Sequence, residues 1–163
     1  MKMSENVKHP IAPVFDENSR VLILGSFPSV KSREEMFFYG HPQNRFWRVL
    51  AAVFGEPVPR TVEAKREFLL SHGVALWDML ASCEITGSAD SSIKNAVPND
   101  LSPIFGTAKI EKIFVNGKTA EKYYNKYIKK ALEREAVCLP STSPANAACS
   151  AEDLAEAWRA VRE

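Results

Sequence analysis

Residues 21–25 read VLILG, and no polar residue interrupts them. A strand with one wet face alternates apolar and polar side chains. A run without alternation is buried on both faces, the condition of a parallel strand covered by helices. The requirement recurs along the chain. GVALWDML (73–80) opens with a second buried strand, IEKIFVNG (110–117) is a third that ends in a turn, and AVCLPS (136–141) is a fourth. Helical patterns lie between them. Phe46, Trp47, Leu50, Val53 and Phe54 recur at helical spacing after a start near Pro42–Gln43, and Gly55 stops the run. A second helix covers Val62 to Leu70. Ala120, Tyr123, Tyr124, Tyr127, Ile128 and Ala131 trace one helix face, and Leu154, Trp158 and Val161 mark a closing helix. SFPSVKS after the first strand reads as a loop. Residues 83–100, CEITGSADSSIKNAVPND, read as a functional loop or a short capped helix. Strands alternating with helices predict an α/β sheet with helices on both faces.

At 163 residues the chain fits a single domain with a full core. We divide it into an N-terminal extension over 1–19 and a core over 20–162. No stretch is long enough to span a bilayer, and MKMSENVKHP has no apolar region of the kind a secretory signal needs. Cys83, Cys138 and Cys149 are odd in number and widely spaced, which fits neither a disulfide framework nor a zinc or iron–sulfur pattern. A reducing, cytoplasmic setting and the absence of metal and cofactor are the expectation. Net charge is +1, so an anionic partner has to be met by a local patch and not by a global field.

In a parallel α/β sheet the ligand site lies beyond the carboxyl ends of the strands. SFPS, WDML, NGK and STSPAN meet there. The connection after the first strand contains FFYGHPQNRFW (37–47), in which five of eleven residues are aromatic carbocycles around His41, Gln43, Asn44 and Arg45. A core does not place such polar groups among aromatics without partners. A site that stacks a planar ligand and reads its polar edge uses both.

GSFPS (25–29), YGHPQNRFW (39–47), LWDML (76–80) and STSPAN (141–146), in this order over roughly residues 20–160, resemble the uracil-DNA glycosylase superfamily and most closely its hypoxanthine-DNA glycosylase branch. The resemblance implies a three-layer α/β/α sandwich around a four-stranded parallel sheet. It implies cleavage of the N-glycosidic bond of a deaminated base flipped out of DNA, and a monofunctional enzyme acting as a monomer is the expectation. The sequence also departs from the superfamily. Most branches carry a catalytic Asp or Asn in the first motif, where this chain has Phe27. The second motif usually begins with His or Asn, here Ser141, and its usual wedge Leu aligns with Ala145. In the hypoxanthine branch the catalytic role moves to the Asn of HPxNxFW, here Asn44.

Each candidate carries a structural alternative. Asn44 either caps the following helix or orients water or the leaving base. Tyr39 is a rim aromatic or the stacking platform for the extruded base. Gly25, Ser26 and Phe27 form a strand-to-loop turn or a close backbone approach to a base carbonyl, with Phe27 closing the pocket. Asp78 is a helix cap or an acceptor for hypoxanthine N1–H, which adenine lacks. Ser141, Ser143, Pro144, Ala145 and Asn146 are a Ser/Pro turn or a loop that pinches the phosphate backbone, with Asn146 a candidate wedge. Phe37, Phe38, Phe46 and Trp47 are assigned to the core. Lys118, Lys122, Lys126 and Lys129 form a stripe read as a solvated face, with DNA contact the alternative. The readings that compete with hypoxanthine excision are a uracil or mixed-specificity glycosylase, a flavodoxin-like nucleotide-binding protein, and a lesion binder without catalysis.

Overall fold

The computed structural model describes residues 4–163. Its centre is a parallel sheet of four strands. These are β2 (Val21–Gly25), β3 (Val74–Asp78), β6 (Lys112–Asn116) and β7 (Val137–Leu139), in the spatial order β3-β2-β6-β7. Side chains alternate across β2. Val21 and Ile23 enter one apolar cluster, and Leu22 and Leu24 enter another. Both clusters are closed by helices, so all four are fully buried. This double burial is why VLILG carries no polar position.

The first cluster is covered by α2 (Phe46–Phe54), α3 (Val62–Ser71) and α7 (Ala151–Trp158). Phe37, Phe38, Phe46 and Trp47 all lie in it, as expected of core residues. The helix read from near Pro42–Gln43 starts later, at Phe46, because residues 41–45 are held in a turn: His41 O accepts from Asn44 N and His41 Nδ1 from Gln43 N. Its far end is as expected. Gly55 adopts φ 68° and its N–H closes the last turn. Thr61 caps α3 by accepting from Ala64 N, and Ser150 caps α7 by accepting from Asp153 N. The opposite face is covered by α4 (Ser102–Thr107) and α5 (Lys118–Tyr127), with α6 (Lys129–Leu132) continuing beyond α5. The lysine stripe on α5 and α6 is exposed.

Two segments differ from expectation. SFPSVKS is not all loop. Ser29 caps a short helix, α1 (Val30–Glu35), and Met36 ends it in a left-handed conformation. Residues 83–100 are neither a loop nor a capped helix alone. β4 (Leu80–Ile85) and β5 (Lys94–Pro98) pair antiparallel, and β1 (Glu5–Lys8) adds to the other side of β4. Register shifts between Leu80 and Ser82 and again between Ser82 and Glu84 break the two-residue period of β4, and β5 is mostly exposed. Neither strand therefore shows the alternation that would reveal it.

Residues 1–3 of the segment set apart as an extension lie outside the described residues. The rest of that segment packs on the core. Val14 bridges Leu76 at the edge of the parallel sheet, and Ile11 and Val14 are buried in the first apolar cluster.

Candidate active site

The parallel strands end side by side, and their last residues are Gly25, Asp78, Asn116 and Leu139. Gly25 and Asp78 are register partners. Asp78 is buried, 3% exposed, although it is a carboxylate. It does not cap a helix. Its Oδ2 lies 2.8 Å from His9 Nε2, and its backbone carbonyl accepts from Asn99 Nδ2 at 2.8 Å. Its Oδ1 lies against Gly25. A β-carbon at position 25 would collide with that oxygen and would stand 2.7 Å from the Tyr39 hydroxyl. Only glycine leaves the space where backbone, carboxylate and phenol converge.

Tyr39 stands at this point in a left-handed conformation, φ 53°. One face of its ring stacks on Phe46 with centroids 4.1 Å apart. Its hydroxyl accepts from Asn116 Nδ2 at 3.1 Å. Burial, and then the negative charge of Asp78, push the hydroxyl pKa well above the usual phenol range, so it keeps its proton and can donate. Asn116 also donates to Thr142 Oγ1 and accepts from Thr142 N, both at 3.1 Å. Thr142 O in turn accepts from Arg45 N at 3.1 Å. One side-chain amide thus ties the Tyr39 turn, the end of β6 and the STSPAN loop together.

Asn44 sits at the entrance to α2, half-buried. Its Oδ1 accepts from Phe46 N at 2.9 Å. The capping alternative is therefore met by the geometry, and it uses one lone pair of the amide oxygen. The Nδ2 group donates to no partner among the described residues. The next residue, Arg45, reaches across to the STSPAN loop. Its guanidinium donates to Cys149 O at 2.5 Å, Asn146 O at 2.9 Å and Ser143 O at 3.3 Å. Three carbonyls of one loop on one guanidinium hold that loop against the start of α2.

Within the loop, Ser141 Oγ accepts from Ser143 N at 3.1 Å and Ser143 Oγ from Ala145 N at 3.2 Å. Both hydroxyls form local turns and retain their protons for donation. Asn146 Nδ2 donates to Ser141 O at 3.0 Å, so its side chain folds back into the loop. Pro144 and Ala145 are exposed at the tip. Phe27 is buried, with its ring edge-on to His9 at 5.8 Å, and Ser26 Oγ donates to Asp90 at 3.1 Å.

The structure thus brings Gly25, Tyr39 and Asp78 to one point and places Ser26 and Phe27 beside them. Ser141, Ser143 and Asn146 stand on a loop tied to that point through Thr142 and Asn116. Sequence reasoning missed His9, Asp90, Asn116 and Thr142, and it placed Arg45 in the polar cluster of a ligand site without seeing that it holds the STSPAN loop. Asn116 and Thr142 lay in segments already assigned to the carboxyl ends of the strands. His9 had no signal, since the pair it forms spans 69 positions.

Asp90 offers a test of the local field. The residue is exposed, but burial of its carboxyl group beside Ser26 and the charge of Asp78 push its pKa up, with the Ser26 hydrogen bond opposing. A carboxyl whose pKa is raised on folding opposes folding once it is ionised. Asp90→Asn is expected to raise Tm at pH 7.5, with the difference from wild type closing as pH falls and gone below about pH 4, where the Asp90 carboxyl is protonated in the folded and the unfolded chain alike. A thermal melt at the two pH values checks this.

A doubly covered parallel sheet with a carboxylate, a phenol and a bare backbone edge at its carboxyl ends is the arrangement of a ligand-binding α/β enzyme. The family model for the uracil DNA glycosylase superfamily matches residues 12–162. A protein of Methanosarcina acetivorans named hypoxanthine DNA glycosylase is 34% identical over 157 residues, covering 95% of this chain and 98% of that protein. A protein of the same name from Methanosarcina barkeri is 34% identical over 141 residues, covering 85% of this chain and 88% of its own length. The solution NMR structure of a Methanosarcina acetivorans protein described as a candidate uracil DNA glycosylase superposes with a TM-score of 0.80 at 31% identity, covering 98% of this chain and all of that one. The chain belongs to the uracil DNA glycosylase superfamily.

Proposed function

We propose that this protein is a monofunctional DNA glycosylase that hydrolyses the N-glycosidic bond of hypoxanthine in DNA. The observation that carries the reading is the free edge of Asp78. One carboxylate oxygen is engaged by His9, and the other faces the space beside Gly25 and Tyr39. A carboxylate only accepts hydrogen bonds, so it selects a base that presents N–H at that edge. Hypoxanthine presents N1–H where adenine presents a bare acceptor. Two relatives of matching length that carry the name hypoxanthine DNA glycosylase support the same reading.

The extruded base lies between the Gly25–Phe27 backbone and the face of Tyr39 opposite Phe46. Stacking of this kind contributes about 1–3 kcal/mol per base. Asn44 holds the attacking water through the second lone pair of its amide oxygen or through Nδ2. The C1′–N9 bond breaks with its electron pair leaving on the base, the water oxygen bonds to C1′, and the proton that water loses passes through solvent to the departing base, which ends as neutral hypoxanthine. The sugar passes through an oxocarbenium-like state, so the water needs orientation more than it needs a strong base. This accommodates Phe27 at the position where most branches carry an acid. The STSPAN loop meets the phosphates with the Ser141 and Ser143 hydroxyls.

The test is a gel of end-labelled duplexes bearing inosine, uracil or no lesion, incubated with protein and then treated with alkali. Breakage at inosine alone is expected. Uracil also presents an N–H to Asp78, and breakage at uracil alone would replace hypoxanthine with uracil as the substrate. No breakage in any lane would leave a lesion binder.

The product is an intact abasic site. Strand cleavage by a glycosylase needs an amine that attacks C1′ to form a Schiff base. The segments SFPS, YGHPQN, WDML and STSPAN contain no lysine. The remaining loop at the strand ends, NGK, does carry Lys118, but that side chain is exposed and is not the desolvated amine such chemistry needs, and Lys31, next to SFPS in sequence, pairs with Glu35 at 3.6 Å. Incubation of inosine duplex with protein and borohydride is expected to give no covalent adduct. A trapped adduct, or breakage without alkali, would bring a lysine into the mechanism.

A further inference from the structure

We propose that His9 is a positioning residue that sets the specificity of the pocket by holding Asp78 as an aimed, acceptor-only carboxylate. The inference rests on the base-reading role given to Asp78 above.

His9 follows β1, and its backbone N–H donates to Ala81 O at 2.7 Å, which anchors it to β4. Its ring is enclosed edge-on by Phe27 at 5.8 Å and Trp77 at 6.1 Å, with Phe38 at 6.2 Å. Nδ1 lies 3.2 Å from Ile11 N. A backbone amide can only donate, so Nδ1 presents a lone pair and the ring proton sits on Nε2. Nε2–H therefore donates to Asp78 Oδ2, 2.8 Å away. The tautomer follows from the backbone of the N-terminal segment, and that tautomer supplies the donor the carboxylate needs.

The His9 and Asp78 side chains are 2% and 4% exposed. A carboxylate buried to this degree without a donor is costly. Without that donor the Asp78 side chain would also be free to turn, and Oδ1 would no longer be aimed at the base edge. With His9 in place, Oδ2 is occupied and Oδ1 is fixed toward the space beside Gly25 and Tyr39. The N-terminal segment is thus part of the pocket wall that gives the base-reading group its direction.

The experiment is a double-mutant cycle on the full chain, with single-turnover excision from inosine duplex as readout. His9→Phe keeps an aromatic ring in the enclosure and removes the donor. It is expected to slow excision about tenfold to hundredfold, the range for a hydrogen bond to a charged group, and to narrow the binding preference for inosine over adenine duplex. His9→Gln restores an N–H in reach of Oδ2 and is expected to recover part of both. The double variant His9→Phe/Asp78→Asn is expected to lose little more than Asp78→Asn alone, because the two residues act as one unit.

Losses that multiply in the double variant, or a His9→Phe rate within about threefold of wild type, would overturn the proposal. If His9→Phe does not fold, failure of His9→Gln to recover the base preference overturns it equally. A nitrogen-15 spectrum of the wild-type imidazole gives an arm independent of activity. A proton on Nε2 is expected, and a proton on Nδ1 overturns the proposal whatever the substrate is. Correct tautomer with no excision from inosine duplex would overturn the substrate reading, and the role of His9 would fall with it. Altered base preference in Asp78→Asn without coupling to His9 would overturn the role of His9 alone.

Discussion

Asn44→Ala is expected to lower the single-turnover rate on inosine duplex by about 10²–10³, the usual cost of removing one positioned hydrogen-bonding group from a transition state. Binding to duplex is expected to remain, because the loop proposed to meet the phosphates is held by Arg45 and not by Asn44. The substitution has a second, structural effect. Asn44 Oδ1 accepts from Phe46 N at the start of α2, and loss of such a cap costs about 0.5–2 kcal/mol. A drop in Tm alone therefore says nothing about chemistry. Asn44→Ser separates the two roles. A serine oxygen can still accept from Phe46 N, so Tm is expected to return toward wild type while the rate stays low. Recovery of rate together with Tm, or an Asn44→Ala rate within about threefold of wild type, would leave Asn44 as a cap and remove it from the mechanism.

Gly25→Ala is expected to close the pocket. The added methyl would collide with Asp78 Oδ1 and stand 2.7 Å from the Tyr39 hydroxyl, and neither group has room to retreat. Asp78 is held by His9 at 2.8 Å, and Tyr39 is held by Asn116 at 3.1 Å and by its stacking on Phe46. Overpacking of this kind costs about 1–3 kcal/mol of stability, which a domain of this size survives. The loss of function is expected to be far larger, because the methyl pushes on Asp78 Oδ1 and the Tyr39 hydroxyl, the two groups proposed to meet the base. The variant is expected to bind undamaged duplex as wild type does and to show no measurable excision. Excision at more than about a tenth of the wild-type rate would show that the base lies elsewhere than beside Gly25.

Much of this molecule is legible in the sequence for a physical reason. VLILG has no polar position because both its faces are covered, and that alone makes it an inner parallel strand. Gly55 and the spacing of Phe46, Leu50 and Val53 define a buried helix and its end. Once the four strands are parallel, their carboxyl ends must lie together, which gathers the loops that follow them, and the family resemblance then singled out Gly25, Tyr39 and Asp78 among them. The antiparallel strands were not legible. The register shifts in β4 scramble its period, and β5 buries too little to carry a pattern.

What the tertiary structure alone decided is partnership. His9 meets Asp78 across 69 positions, and Arg45 reaches Asn146 across 101. A hydrogen bond between residues so far apart leaves no local periodicity, because it depends on where two separately folded segments come to rest. The same holds for the left-handed backbone at Tyr39 and for the packing that makes Gly25 irreplaceable by alanine. The sequence by itself determined which surfaces are buried and at which end of the sheet the polar residues gather. The direction each polar group faces, and which of its atoms is left free for a ligand, came only from the folded chain, because hydrogen bonds are satisfied in space and not along the sequence.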